Sequence, residues 1–303
     1  MSELELREAG DRIATPAAPP EPVGAPARRG RHRLRWRAPR RPGPALALSL
    51  AWLALVLLAV LVPAALTSAD PLATEPAAKL SVPSADHLFG TDQLGRDLLS
   101  RVVHGADPSL RAAFLATLLG LVAGALLGLV AGFFRRLPDT IIMRAVDVIL
   151  SIPNMLASLA LIALLGSGTA QVALAVGFAG IANCARVMRA EVLRVRESVF
   201  VEAARASGNT LRRVLLRHVL PNSIGPVLAL GALQFGVSIL AVSSLSFLGY
   251  GVRPPDPEWG SLISSGRDSL ATAWWLTTLP GVVVVLTVLA ANRVARALGG
   301  EGR

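Results

Sequence analysis

The stretch VEAARASG, residues 201–208, continued by NTLRRVLLRHVLPN, residues 209–222, is the feature on which the interpretation of this chain depends. It is a polar, basic segment between two apolar runs, one containing Val148 to Ala185 and the other extending from Ser223 to Val252. A hairpin of this length cannot bury a core of its own. We therefore predict that it is where a membrane-embedded chain meets another component.

The composition is that of a polytopic membrane protein. Of 303 residues, 53% are hydrophobic and 17% are charged, and the mean hydropathy is +0.56, whereas soluble domains are about 45–50% apolar and about 25% charged. The net charge of +10 comes from short basic clusters beside apolar runs, the pattern that orients membrane proteins. Aromatic residues make up only 5% of the chain. We therefore expect contact with membrane lipid and no nucleic-acid partner.

The sequence lacks the motifs of the common enzyme classes. Its only lysine is Lys79 and it has no GxxxxGK[ST] loop, so it cannot hydrolyse ATP by the usual phosphate-loop route. It has no HExxH or GxSxG motif and no Cys/His cluster. The single cysteine, Cys184, lies in an apolar run and is predicted to be a buried packing residue. We expect no enzymatic activity, no metal site and no cofactor bound by this chain. Whether it moves something or anchors something, the energy must come from elsewhere.

Apolar length and charge asymmetry predict an all-α integral membrane protein with both termini in the cytoplasm. The region 186–217 carries eight arginines against three glutamates and is predicted to be cytoplasmic, whereas the nearly balanced segments 67–109 and 249–268 are predicted to be extracytoplasmic. A disordered basic tail, 1–44, precedes the first span, and 110–298 form a five-helix core that contains the loop 194–222. The six predicted spans are 45–66, 112–134, 141–165, 169–189, 224–248 and 270–292.

Several local patterns predict how the spans are shaped and packed. Four glycines recur at every fourth residue of the second span and form one smooth stripe for close helix packing: Gly120, Gly124, Gly128 and Gly132. Pro153 is predicted to kink the third span, and Pro280 with Gly281 to interrupt the last one. Arg144 and Asp147 have the i,i+3 spacing of a mutual ion pair and are interpreted as structural.

The hairpin resembles the EAA loop of inner-membrane permease subunits of ABC importers. The residues that match are Glu202-Ala203-Ala204, Gly208 after three further residues, and Leu220-Pro221 after a fixed gap. His218 stands where the general motif has an aliphatic residue. In the dipeptide/oligopeptide branch an ending of a basic residue, His, an aliphatic residue, Leu, Pro and Asn is usual, and Arg217 to Asn222 has this form.

Three further stretches resemble the C-type permease subunit of the dipeptide/oligopeptide (and nickel) branch, so that the resemblance covers roughly 45–298. They are FGTD (89–92) with GRD (95–97) and SR (100–101), FLGYGV (247–252) with PP (254–255) and PEWG (257–260), and DT, MR, VD and IP between 139 and 153. The candidate extracytoplasmic residues drawn from them are Gly90, Asp92, Gly95, Arg96, Asp97, Glu258 and Trp259.

Some of these residues also have a structural interpretation. Asp92 is predicted to cap the helix that follows, with Leu94, Leu98 and Leu99 on its apolar face. Glu258 and Trp259 are either an interfacial charge and an aromatic-belt residue or a contact with the binding protein or the outer gate. Trp274 and Trp275 are most simply interpreted as belt residues.

The hairpin itself is predicted to consist of two short helices, 198–206 and 210–218, with Gly208 in the turn and Ser198 and Thr210 as N-caps. Leu211, Val214 and Leu215 are predicted to form an apolar stripe, and Pro221 is predicted to stop the second helix. The resemblance implies that this element docks in a cleft of an ATPase subunit and transmits its movement to the spans.

The resemblance implies the type I ABC importer (MetI-like) permease fold, in a multi-pass protein of the plasma or inner membrane. The implied partners are a second related permease, two ABC ATPase subunits that carry ATP and Mg, and an extracytoplasmic substrate-binding protein. The branch handles dipeptides, longer peptides, nickel chelates and some glycosides. The alternative hypotheses are a membrane anchor or scaffold that recruits a cytoplasmic partner without transporting, and a channel.

Overall fold

The computed structural model describes residues 43–299, so the predicted basic tail lies outside the described range except for its last two residues. Within that range the chain is helical, with short 3₁₀ turns and an isolated bridge between Thr91 and Asp97. The α-helices are α1 (Pro44–Leu61), α2 (Leu98–Phe134), α3 (Arg136–Ser151), α4 (Asn154–Leu165), α5 (Thr169–Arg196), α6 (Val199–Ala206), α7 (Leu211–Val214), α8 (Leu220–Phe247), α9 (Trp259–Gly266) and α10 (Trp275–Gly299).

Among the described residues, five helical segments are long and apolar enough to cross a membrane: α1, α2, α5, the continuous segment Leu211–Phe247, and α10. Helices α3 and α4 pass the same test only as a pair, and they are bent by 95°. The predicted number of six spans is reached when this pair counts as one. The predicted kink at Pro153 is a break in the helix, because Ile152 and Pro153 both adopt extended backbone, as the residue before a proline prefers.

Several helix ends differ from the predicted spans. Helix α1 ends at Leu61 rather than at 66, because Val62 leaves the helical conformation just before Pro63. Helix α2 begins at Leu98 rather than at 112, so the end of the predicted extracytoplasmic segment is helical. Hydropathy did not reveal its polar first turns. Helix α10 continues through Pro280, which removes one backbone donor in its second turn without ending it.

Helices α2 and α5 run parallel and pack through the glycine stripe, as predicted. A Cβ atom at Gly124 would lie 2.6 Å from the Cβ of Cys184, and one at Gly132 would lie 2.8 Å from the Cβ of Val192. Such a separation leaves no room for a side chain, so the two backbones approach closely over several turns. Cys184 is buried in this interface and its Sγ lies 3.4 Å from the Leu121 carbonyl oxygen, which confirms its packing role.

Helix α3 is held across α5 by two ion pairs. The Arg189 guanidinium binds Asp139 through two nitrogens, with Nη2 2.7 Å from Oδ2. Asp147 pairs with Arg186 at 2.8 Å, so the predicted pair between Arg144 and Asp147 is wrong. Because α3 crosses α5, Asp147 faces an arginine of the neighbouring helix rather than one on its own helix.

Candidate functional site: the hairpin and the loop layer

The hairpin, residues 198–222, consists of α6, a turn, α7 and one π-helical turn at Leu215–Val219 that leads directly into α8. Gly208 has φ of +79°, a conformation that glycine adopts without steric cost, so its predicted place in the turn is confirmed. The Thr210 hydroxyl accepts a hydrogen bond from the Arg213 amide at 3.4 Å, which confirms it as an N-cap. Ser198 precedes α6, but its hydroxyl donates to the Val195 carbonyl and does not cap the helix.

One face of the hairpin is fixed to the end of the α2–α5 pair. Val201, Val214 and Val219 are completely buried, and they pack in one cluster with residues near the C-terminal ends of those helices. The cluster also contains Leu129, Phe133, Cys184, Met188, Val192, Val195 and Val227. Burial of this cluster orients the hairpin relative to the long helices, because each buried aliphatic side chain contributes about 1.5–3 kcal/mol.

The opposite face of the hairpin is exposed and carries both apolar and charged side chains. Val199 is 80% exposed and Leu211 is 61% exposed, whereas Val214 is buried, so the predicted apolar stripe is divided between two faces of the hairpin. Glu202, Ala203 and Gly208 are exposed beside them, and Ala204 is half-buried. An apolar surface on an otherwise basic segment is typical of an interaction site.

The prediction that Pro221 stops the helix is wrong. The Leu220 amide bonds to the Leu215 carbonyl five residues back, and α8 then begins with Pro221 in its first turn. A π turn widens the helix just where the proline ring would meet the carbonyl four residues before it. The Asn222 side-chain amide donates to the His218 carbonyl at 2.7 Å. The second arm of the hairpin therefore continues into α8 as one helical segment, Leu211–Phe247, without a corner.

At the opposite end of the α2–α5 pair, residues 62–97 and 248–274 form a second structured region, which we call the loop layer. Asp92 is its central acceptor: Oδ1 accepts from the amides of Leu94 at 2.8 Å and Arg96 at 3.0 Å, and Oδ2 accepts from Arg96 Nε at 2.7 Å. Asp92 therefore closes a turn and does not cap α2. The cap is Asp97, which accepts from the Ser100 amide at 2.7 Å, and Leu94 is exposed outside the helix.

Gly90 and Gly95 allow segments within the loop layer to approach each other closely. Both have left-handed backbone, with φ of +74° and +75°. A Cβ at Gly95 would overlap the Glu75 carbonyl, and one at Gly90 would lie 2.6 Å from the Ser81 carbonyl oxygen. Both positions therefore require glycine for backbone conformation and for space.

Arg101 joins three segments of the loop layer, although the sequence placed it only in a matching motif and not among the candidate site residues. Its side chain is buried, with Nη1 donating to the Pro71 carbonyl at 2.9 Å and Nη2 to the Pro255 carbonyl at 3.3 Å. Its Nε lies 3.6 Å from Asp92 Oδ2. One feature of the sequence did point to this role. Arg101 follows the helix cap Asp97 by one turn, and a charge beside an apolar helix requires partners.

Glu258 and Trp259 are buried, which contradicts their interpretation as an interfacial charge and an aromatic-belt residue. The Trp259 side chain is 1% exposed, and its indole N–H donates to the Val102 carbonyl at 2.9 Å. Glu258 accepts from the Ser246 hydroxyl at 2.6 Å and from the Val252 amide at 2.8 Å. Trp275 is likewise buried, with its indole N–H 3.2 Å from the Thr91 carbonyl oxygen, whereas Trp274 is exposed. These side chains join α9 and α10 to α2 and the loop layer.

The buried Glu258 carboxyl makes the stability of the loop layer depend on pH. Burial raises the pKa of Glu258 above its ordinary value of 4.5, and the hydrogen bonds from Ser246 and Val252 lower it in part. The folded state holds the proton of Glu258 more tightly than the unfolded state does. The stabilisation that protonated Glu258 gives the folded state is therefore complete below pH 4.5, and it is lost as the pH rises through the raised pKa.

We expect the stability of the Glu258→Gln variant to increase relative to that of the wild type as the pH rises from about 5 to about 8, because glutamine cannot ionise. The measurement is the thermal unfolding midpoint of both proteins in detergent across this range. Glu75→Gln, at an exposed site, is the matched control and should show no such trend. A constant difference between wild type and Glu258→Gln would contradict this role.

Comparison with known proteins gives one family model and several relatives that are all named for transport systems. The family model for the binding-protein-dependent transport system inner membrane component matches residues 124–300. The dipeptide transport system permease protein DppC of Alkalihalophilus pseudofirmus is 35% identical over 243 residues, which cover 80% of this chain and 80% of the relative. The glutathione transport system permease protein GsiD of Escherichia coli is 41% identical over 210 residues, which cover 69% of each.

A solved structure is similar as well. A chain from the crystal structure of an amino acid ABC transporter with histidines aligns with a TM-score of 0.55 and 15% identity, covering 67% of this chain and 94% of that chain. At this identity the likeness shows that the two chains share a fold.

Proposed function

Because the chain belongs to the family of binding-protein-dependent transport system inner membrane components, and has the MetI-like permease fold of ABC importers, we propose that it forms half of the translocation pore of a peptide importer. Relatives named for dipeptide and glutathione transport support a peptide substrate over nickel chelates or glycosides. The energy would come from ATP and Mg on separate ATPase subunits, and this chain would bind no cofactor itself.

The observation that carries this proposal is the two-sided hairpin. Val201, Val214 and Val219 fix one side to the long helices, while Val199, Phe200 and Leu211 are exposed on the other. An exposed apolar surface on a firmly anchored element suits a contact that must transmit movement. The residues proposed for this ATPase contact are Glu202, Ala203, Ala204, Gly208, Leu220 and Pro221, and the last two lie where the hairpin joins α8.

The proposed assembly contains a second related permease, two ABC ATPases and an extracytoplasmic substrate-binding protein. Its orientation follows from charge: the hairpin region is strongly basic and would lie in the cytoplasm with both termini, because positive loops remain inside. The loop layer would then face the binding protein. Gly90, Asp92, Gly95, Arg96, Asp97, Glu258 and Trp259 would act there by shaping the surface, because Asp92, Glu258 and Trp259 are themselves buried.

We expect the tagged chain, solubilised in mild detergent from its own host, to co-purify with a related permease and ABC ATPases. Proteoliposomes containing this complex and its binding protein should accumulate a labelled dipeptide only when ATP is present. Replacing exposed Val199 and Leu211 together by Glu should release the ATPases while the two permeases remain associated. Purification without any ATPase would favour an anchor, and uptake without ATP would favour a channel; either outcome refutes the proposal.

A further inference from the structure

The bend between α3 and α4 leaves part of α5 uncovered. Helix α4 contacts the first half of α5, where the Ser158 hydroxyl lies 3.3 Å from the Ala175 carbonyl oxygen. After the 95° bend, α3 contacts α5 through Val146, which packs with Ala182 and Ala185. Asn183 and Arg186 lie next to this contact on α5, and both are exposed.

Helix α3 extends this uncovered region with a polar face of its own. Thr140, Arg144, Asp147 and Ser151 follow each other at spacings of four, three and four residues, so they share one side of the helix. All four are exposed, whereas Ile142, Met143 and Val146 pack toward α5. We call the exposed set the polar stripe: Thr140, Arg144, Asp147, Ser151 and Asn154 on α3 and α4, with Asn183 and Arg186 on α5.

Part of the polar stripe lies deep in the membrane-spanning region. Helix α5 has 28 residues and is therefore about 42 Å long, with Asn183 about 20 Å from either end. A hydrocarbon core of about 30 Å that α5 crosses must include its midpoint. Asn154 lies one helical turn from Ser158, which contacts Ala175, so Asn154 is at a similar depth.

Acyl chains would be an unfavourable environment for this stripe. Within residues 43–297, the side-chain amides of Asn154 and Asn183 form no hydrogen bond. The Arg186–Asp147 pair is 56% and 55% exposed. Unpaired amides and an open ion pair are costly in hydrocarbon, and such groups in membrane proteins face water-filled cavities or protein.

We propose that the polar stripe lines the water-filled path of the substrate, and that Asn154 and Asn183 bind the backbone of the passing peptide. This inference rests on the proposed function. A carboxamide offers both a donor and an acceptor, which match the carbonyl and the amide of a peptide bond in any sequence. Two amides on adjacent helices therefore provide weak, sequence-independent contacts, which suit a path that must release its substrate.

The test measures whether water reaches the stripe in the assembled transporter. In a Cys184→Ala background the chain has no cysteine, so single cysteines can be placed at Asn183, at Asn154 and, as the control on an exposed apolar surface, at Leu57 of α1, which is 56% exposed. Nucleotide-free complexes in lipid vesicles are treated with a charged, trimethylammonium methanethiosulfonate reagent. Because the reacting thiolate forms only in water, Asn183→Cys and Asn154→Cys should react at least about 10-fold faster than Leu57→Cys.

A second measurement separates the outcomes. Each vesicle preparation is also assayed for ATP-driven dipeptide uptake, and an excess of dipeptide should slow labelling of Asn183→Cys. If uptake is normal but both stripe cysteines react no faster than Leu57→Cys, the stripe is covered by the second permease or by lipid, and this inference fails while the proposed function stands. If all vesicles, including those with the unmodified chain, lack uptake, the proposed function fails instead.

Discussion

The Gly128→Ala variant should lose about 1–3 kcal/mol of stability, although alanine is the better helix former. A Cβ at Gly128 would overlap the Ala185 carbonyl oxygen and lie 2.7 Å from the Met188 Cβ. The nearest atom belongs to a helix backbone and cannot rotate away, so α2 and α5 must separate or shift. Because α5 also carries the hairpin cluster through Met188 and Val192, the change should loosen the hairpin as well.

Gly281→Ala is the matched control for this prediction. Gly281 lies within α10, and a Cβ added there would meet no atom within 4 Å, so the same substitution should be neutral or stabilise by up to about 1 kcal/mol. The measurement is the midpoint of thermal unfolding in detergent, followed as the fraction that remains monodisperse. Equal midpoints for the two variants would show that the glycine stripe does not determine the helix separation.

The parts of the fold that sequence could predict are those set by short-range periodicity. Glycines at every fourth residue of α2 must share one face, and a smooth face in a membrane has few uses besides close packing. The turn at Gly208 follows in the same way, because Gly208 lies between two short runs of helix-forming residues and just before the cap residue Thr210. Neither prediction requires knowledge of a distant part of the chain.

The parts that could not be predicted depend on which distant segment lies opposite a residue. Asp147 had an arginine at helical spacing, but the crossing of α3 over α5 gave it Arg186 instead. Trp259 has the polar neighbours of an interfacial tryptophan, yet α2 covers it and accepts its indole hydrogen bond. Asp92 and Asp97 are both plausible caps by composition, and only the turn closed by Arg96 decides between them.

The prediction for Pro221 failed for a different reason, because the rule that proline stops a helix holds only for α-helical spacing. Proline ends an α-helix when its ring meets the carbonyl four residues before it. The π turn at Leu215–Val219 changes that spacing, and the helix passes through. This change also alters the proposed mechanism: movement of the hairpin would reach α8 along one continuous helix rather than through a corner where Pro221 stops the helix.

The Gly208→Val variant should reduce ATP-driven uptake at least about 10-fold. A β-branched residue with positive φ costs more than about 1–2 kcal/mol. The equilibrium between the native and a distorted hairpin should shift by the same free energy. Gly208 has φ of +79° and no neighbour within 4 Å of a Cβ position. The penalty is therefore one of backbone conformation rather than packing, and the buried valines should keep the long helices folded.

Gly208→Asn provides the matched control, because asparagine tolerates left-handed backbone and fills the same open space. It should retain most of the uptake, measured in proteoliposomes that contain the assembled transporter and its binding protein. The unfolding midpoint of Gly208→Asn should remain close to that of the wild type, since the turn lies outside the α2–α5 interface. If valine and asparagine impair uptake equally, the shape of the turn does not matter and the surface around Gly208 must act through direct contact instead.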